Sequence, residues 1–150
     1  MAQLVVNAKE GHNPQINVDV VGVGSSVYDM LKGYGFSVAA MSGAERSEAT
    51  DKSGQLSFRN KRAEWWWKMR EALDPDSGEA LALPPDRGLL ADLCAPKWKL
   101  SASGIQVESK DDIIKRLGRS PDRGDSAVYA LHFDAPKQKP RFIRVDWMSR

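Results

Sequence analysis

INVDVVGVGSSVYDMLKGYGFSVAA (residues 16–40) is the stretch on which the fold turns. Ile16 to Val23 is a β-branched run with the composition of a buried strand. Gly22 and Gly24 close it, and Ser25-Ser26 opens a predicted helix through Lys32 with Val27, Met30 and Leu31 facing inward. Gly33 to Gly35 ends that helix, and Phe36 to Ala40 reads as the next strand. Strand, helix, strand at this spacing is the grammar of a parallel α/β sheet.

Asp19 is the only charged residue in the first strand. A carboxylate buried there is costly unless it is paired, hydrogen-bonded or bound to a metal. Strand alternation could equally turn it to solvent, and the sequence leaves both readings open. Sites in open α/β sheets form beyond the carboxyl ends of the strands, which is where Asp19 lies.

At 150 residues, with 41% hydrophobic and 28% charged residues, the chain fits one domain with a real core. Nothing approaches the ~20 apolar residues of a membrane span, and the N-terminus carries no signal-peptide pattern. Cys94 is the only cysteine, which excludes an internal disulfide and a cysteine-based zinc site. A reducing cytosol suits such a chain, and Cys94 is predicted to pack as a small hydrophobe. The net charge of +2 demands no nucleic acid. Basic residues nevertheless crowd two regions: Lys97, Lys99, Lys110, Lys115, Arg116, Arg119 and Arg123, then Lys137, Lys139, Arg141 and Arg144. Such clusters form either a solvated face or a phosphate track.

Residues 42–55 are small and polar and read as a mobile surface loop, longer than a routine connection. Asn60 then opens a helix, NKRAEWWWKMREAL, to about Leu73. Trp65, Trp66 and Trp67 are consecutive and spread over roughly 200° of its surface. They cannot all face one core, so at least one must meet another element or a partner. Asp86 to Cys94 forms a short helix, Trp98 to Val107 a β-hairpin, and Lys110 to Leu117 a helix capped by Ser109 and stopped by Gly118, with Ile113, Ile114 and Leu117 as its apolar stripe.

RSPDRGDSAVYAL (119–131) follows at once. Pro121 suits a first helical turn, Ser120 can cap it, and Ala127, Val128, Ala130 and Leu131 seat the helix on the core. Asp122 and Asp125 fall three residues apart on one helical face. One reading is a capped helix whose first-turn acids complement the dipole. The other is a pair of carboxylates able to hold Mg²⁺ or Mn²⁺. Gly22 to Val27 is not a GxGxxG fingerprint, and neither a GxxxxGK[ST] loop nor a GxSxG elbow is present. His12 and His132 are isolated.

Taken in order, VDVVGVGSSVYDML (18–31), FRNKRAEWWWKMREAL (58–73), LPPDRGLLADLC (83–94) and IQVESKDDIIKRLGRSPDRGDSAVYAL (105–131) resemble the C-terminal nuclease domain of tailed-phage large terminase subunits. The similarity runs from about Asn17 to Leu131. It implies an α/β, RNase H-like mixed sheet flanked by helices, and a Mg²⁺- or Mn²⁺-dependent endonuclease, with a two-metal site, that cuts double-stranded phage DNA during genome packaging in the host cytoplasm. By position, Asp19 resembles the acid of the central strand and Asp125 that of the C-terminal helix, with Asp122 as a neighbouring ligand or water-positioning group. Lys110, Arg119 and Arg123 become candidate DNA contacts, and Glu108 matches a family-like position. The resemblance also implies an aspartate on an earlier strand, yet residues 1–14 contain none. The expectation is therefore a nuclease-like domain over 1–136, truncated before the first strands and the upstream ATPase motor, with a basic extension at 137–150. Portal protein or the small terminase subunit are implied partners, and an uncovered sheet edge would favour self-association or a rearranged N-terminal segment. The alternative reading is a non-catalytic DNA- or portal-binding remnant of a prophage terminase.

Overall fold

The computed structural model describes residues 2–8, 14–22, 24–79 and 81–132. The extension at 137–150 and its boundary at residue 136 lie outside them. Strand β1 (Ile16–Asp19) pairs in parallel with β2 (Val38–Met41), in register from Ile16↔Val38 to Asp19↔Met41. Helix α2 (Gly24–Gly33) makes the connection, so the predicted strand–helix–strand unit is present. Two details differ from the sequence reading. Val21 is exposed and the strand stops at Asp19, and Met30 is half exposed while Leu31 is fully buried. Met30 stands about 100° around the helix from Leu31, and the short two-stranded sheet covers only the face of Val27 and Leu31.

Residues Ala2–Ala8 form a helix (α1) that packs on α2, an element the sequence reading did not anticipate. It has no acid in its first turn and no base in its last, so dipole signals are missing.

Helix α3 (Lys61–Ala72) begins as predicted, with the Asn60 side chain accepting the Ala63 N–H at 3.0 Å. All three tryptophans are buried, and they divide between two cores. Trp65 and Trp66 join Met41, Met69 and Val128, whereas Trp67 joins Phe58, Ala63 and Ile105. The second core lies under the antiparallel hairpin of β3 (Trp98–Ser101) and β4 (Gly104–Val107). Among the described residues the strands thus form two separate two-stranded sheets, where one mixed sheet was expected. Helix α3 packs on both: Trp65 and Trp66 share a core with Met41 of β2, and Trp67 shares the other with Ile105 of β4.

The polar segment read as a mobile loop is fastened. Thr50 and Ser57 form an antiparallel bridge, and the buried Ser47 hydroxyl donates to Glu64 Oε2 at 2.7 Å. Burial pushes the Glu64 carboxyl up, but Ser47, Lys68 and Lys61 outweigh it and hold the group below its ordinary value. Helix α4 (Arg87–Leu93) is capped by Asp86, and α5 (Lys110–Leu117) by Ser109. In α5 only Ile113 of the expected stripe is fully buried. Cys94 is exposed at the end of α4 rather than packed. Helix α6 (Asp122–Leu131) crosses back over β1, α3 and α4. Among the described residues no helix is long and apolar enough to cross a membrane.

A candidate metal site between β1 and α6

A groove of about 600 Å³ runs between β1 and α6 and is lined by Asp19, Lys110, Asp122, Asp125 and Tyr129, with Val5 of α1 and Val27 of α2 at its apolar side. The three carboxylates singled out in the sequence therefore line one groove. Of the three basic candidates, only Lys110 lines it with them.

The β1 side is set by alternation. Asn17 and Asp19 are two residues apart and point to the same face of the strand. The Asn17 amide donates to the carbonyls of Tyr129 (2.6 Å) and His132 (2.5 Å), tying the C-terminal end of α6 to the strand. Asp19 Oδ1 accepts the Val21 N–H at 3.0 Å, and Oδ2 lies 3.4 Å from the Tyr129 hydroxyl. Burial, then the charges of Asp19 and Asp125, push the Tyr129 phenol up from a value already above neutral pH, and its hydroxyl serves Asp19 as a donor. Gly24 makes this end of the strand compact. A β-carbon there would stand 1.6 Å from the Asp19 carbonyl oxygen, so only glycine lets α2 start against β1.

The α6 side is set by Asp92, not by Ser120. Pro121 occupies the cap position with no side-chain cap bond, and the Ser120 hydroxyl donates instead to Asp122 Oδ1 at 2.6 Å. Asp92, 2% exposed on α4, accepts the N–H of Arg123 at 3.0 Å and of Gly124 at 3.4 Å. Its other oxygen pairs with Arg119. A carboxylate from a distant helix thus satisfies the orphan donors and complements the positive end of α6. Gly124 permits the approach, since a β-carbon would meet the Trp66 ring at 3.0 Å and Asp92 at 3.1 Å.

Asp122 and Asp125 share a helical face, but their surroundings differ. The Asp122 side chain is 74% exposed and that of Asp125 only 8%. Lys110 bridges them, with Nζ 2.8 Å from Asp122 Oδ1 and 3.4 Å from Asp125 Oδ2. Partial burial pulls the Lys110 ammonium down, but hydrogen bonding to Asp122 and the charge of both acids raise it overall. Lys110 and Ser120 in turn hold the Asp122 carboxyl below its usual range. Asp125 Oδ1 accepts from Arg62 Nη1 at 2.7 Å and from Trp66 Nε1 at 3.2 Å.

The sequence reading missed Arg62, Trp66, Asn17, Tyr129 and Asp92. The available signal was phase: Arg62 and Trp66 are four residues apart and so share one face of α3. Arg119 and Arg123, expected to contact phosphates, are fastened to α4 through Asp92 and Asp86, although their side chains stay 49% and 64% exposed. Glu108 pairs with Arg116 at 2.6 Å, a link between the hairpin and α5.

Among the described residues, no three His, Cys, Asp or Glu side chains gather closely enough to form a metal cluster by themselves. The donor chemistry nevertheless fits a hard cation. Carboxylate oxygens from β1 and α6 face one groove, and an ammonium already stands between two of them.

No protein-family model and no curated protein matches this sequence. Among solved structures, the nuclease domain of the large terminase subunit gp2 of bacterial virus Sf6 is similar, with a TM-score of 0.66 and 21% sequence identity. The match covers 89% of this chain and 70% of that chain, and what the two share is the mixed α/β fold of a terminase nuclease domain.

Proposed function

We propose that this chain is a terminase-type nuclease domain that cuts double-stranded phage DNA during genome packaging, using Mg²⁺ or Mn²⁺. The observation that carries the reading is the convergence of Asp19, Asp122 and Asp125 on one groove, with Lys110 bridging the last two. The parallel β1–β2 pair, with α6 tied across the face bearing Asn17 and Asp19, supports an RNase H-like core.

Asp19, Asp125 and Asp122 would be the carboxylate ligands. Since they do not stand as a closed cluster, Lys110 would have to leave and the side chains draw together around the cation. When bound, divalent ions supply an activated water and stabilise the leaving oxygen of a phosphodiester. The protein's own residues prepare the groove. Protonated Tyr129 orients Asp19, and Asn17 keeps α6 in place against the strand. Lys110 neutralises Asp122 and Asp125 and, once displaced from them, is placed to meet a phosphate. The exposed parts of Arg119 and Arg123 extend the basic surface for the DNA backbone.

Thermal melts and plasmid nicking test the reading together. Millimolar Mn²⁺ should raise the melting temperature and support nicking, and Asp19→Asn and Asp125→Asn should each abolish both responses. A wild-type protein that neither shifts nor nicks with Mn²⁺ overturns it.

A further inference from the structure

Arg62 and Trp66 stand one turn apart on α3 and donate to the same oxygen of Asp125, Oδ1, at 2.7 Å and 3.2 Å. Lys110, which lines the groove, approaches the other oxygen, Oδ2, at 3.4 Å. The two oxygens of one carboxylate therefore have separate tasks. Oδ1 is held by two donors from the tryptophan helix, and Oδ2 faces the groove-lining Lys110.

The Arg62 guanidinium is poorly arranged for stability. Its side chain is 13% exposed, its Nη1 is bonded to Asp125, and its Nε and Nη2 are buried without a hydrogen-bond partner. Buried donors without partners are costly, so the two idle nitrogens subtract from what the pair with Asp125 contributes. What the guanidinium provides is direction. It lies over the Trp66 ring at 5.4 Å, and the indole N–H supplies a second donor that cannot ionise. Lys110, by contrast, is a half-exposed ammonium on a flexible stem and can leave the carboxylate.

We propose that Arg62 and Trp66 are positioning residues, which orient Asp125 so that Oδ2 is presented to the groove as a ligand for a divalent cation. This rests on the nuclease reading above. Metal-bound carboxylates are commonly held by outer partners of this kind, whose loss costs roughly 10–100-fold in metal affinity.

The test is Mn²⁺ binding to the full chain, followed by calorimetry and by the spin resonance of the bound ion. Arg62→Met should weaken binding by at least about tenfold and alter the spectrum of the ion that remains bound, while Arg62→Lys should restore part of the affinity. Trp66→Phe keeps a large ring but removes the donor, and should weaken binding by a smaller factor. It also serves if Arg62→Met does not fold. Met69→Ala, a core substitution on the same helix, should lower the melting temperature and leave Mn²⁺ affinity unchanged. Wild-type binding that persists unchanged in Arg62→Met and Trp66→Phe overturns the positioning role alone. A wild-type protein that binds no Mn²⁺ overturns the nuclease reading and this role with it.

Discussion

Asp92 and Arg123 meet side chain to backbone: Asp92 Oδ2 accepts the Arg123 N–H at 3.0 Å, 31 residues away in sequence. That bond, with the one from Gly124, makes α4 the cap of the helix that carries Asp122 and Asp125. Asp92→Ala should destabilise the protein by about 2 kcal/mol, because two backbone donors and Arg119 lose their acceptor in a buried place. Asp92→Asn keeps an acceptor and should lose less. Urea unfolding midpoints check both, and an Asp92→Ala midpoint equal to wild type would show that α6 finds another cap.

The sequence made the core unit legible because its signals are local. Glycines, β-branched residues and caps lie next to the elements they define, which is why β1, α2, β2, α3 and α5 appear close to where they were read. Asp19, Asp122 and Asp125 were legible as candidates because acids in apolar strands and helix starts stand out. Their partners were not. Asp92 reaches α6 across 31 residues, and Arg62 reaches Asp125 across 63 residues. Ser120 looked like the cap because local chemistry favours it, yet its hydroxyl was taken by Asp122. The two cores that α3 serves were equally hidden, since which of them each of three adjacent indoles joins depends on partners far away in sequence, Val128 for one and Ile105 for the other.

Lys110 holds the place between Asp122 and Asp125 that a divalent cation would contest. Lys110→Met should therefore act in opposite directions with and without metal. Without Mn²⁺ the melting temperature should fall, corresponding to about 1 kcal/mol, because the pair to Asp122 is largely solvent-exposed. With Mn²⁺ the stabilisation should exceed that of wild type, since the competing ammonium is gone. Paired melts check this, and a smaller Mn²⁺ response in the variant would mean that Lys110 assists the metal instead of competing with it.

The hairpin and α5 are joined by Glu108, whose carboxyl is lowered to about 2, first by its hydrogen bonds from Arg116 and further by the Lys97 N–H. A carboxyl lowered in the folded state contributes stability above its ordinary value of 4.5. That contribution is lost as pH falls from there towards about 2. Glu108→Gln should flatten the pH dependence of stability in this window and leave its course above pH 5 parallel to wild type. Denaturant unfolding at a series of pH values is the measurement. An unchanged acid limb would assign the acid sensitivity to other carboxylates, Glu64 among them.

Gly24 joins the fold to the site most directly. Its missing side chain allows α2 to begin against the Asp19 carbonyl, where a β-carbon would stand 1.6 Å from the oxygen. Because the contact is with backbone, no rotamer change relieves it, and Gly24→Ala must push α2 away from β1 or move Asp19. Overpacking of this kind costs about 1–3 kcal/mol. The more telling consequence is local: Asp19 shifts relative to Tyr129 and the groove, so the Mn²⁺ response should weaken even where the variant remains folded. Gly33→Ala is the control, since nothing lies within 4 Å of a β-carbon at that position and the substitution sits in the same helix. It should be neutral or mildly stabilising, as alanine is the better helix former. Melts with and without Mn²⁺ on the two variants separate the cases, and equal behaviour of both would contradict the close approach at Asp19.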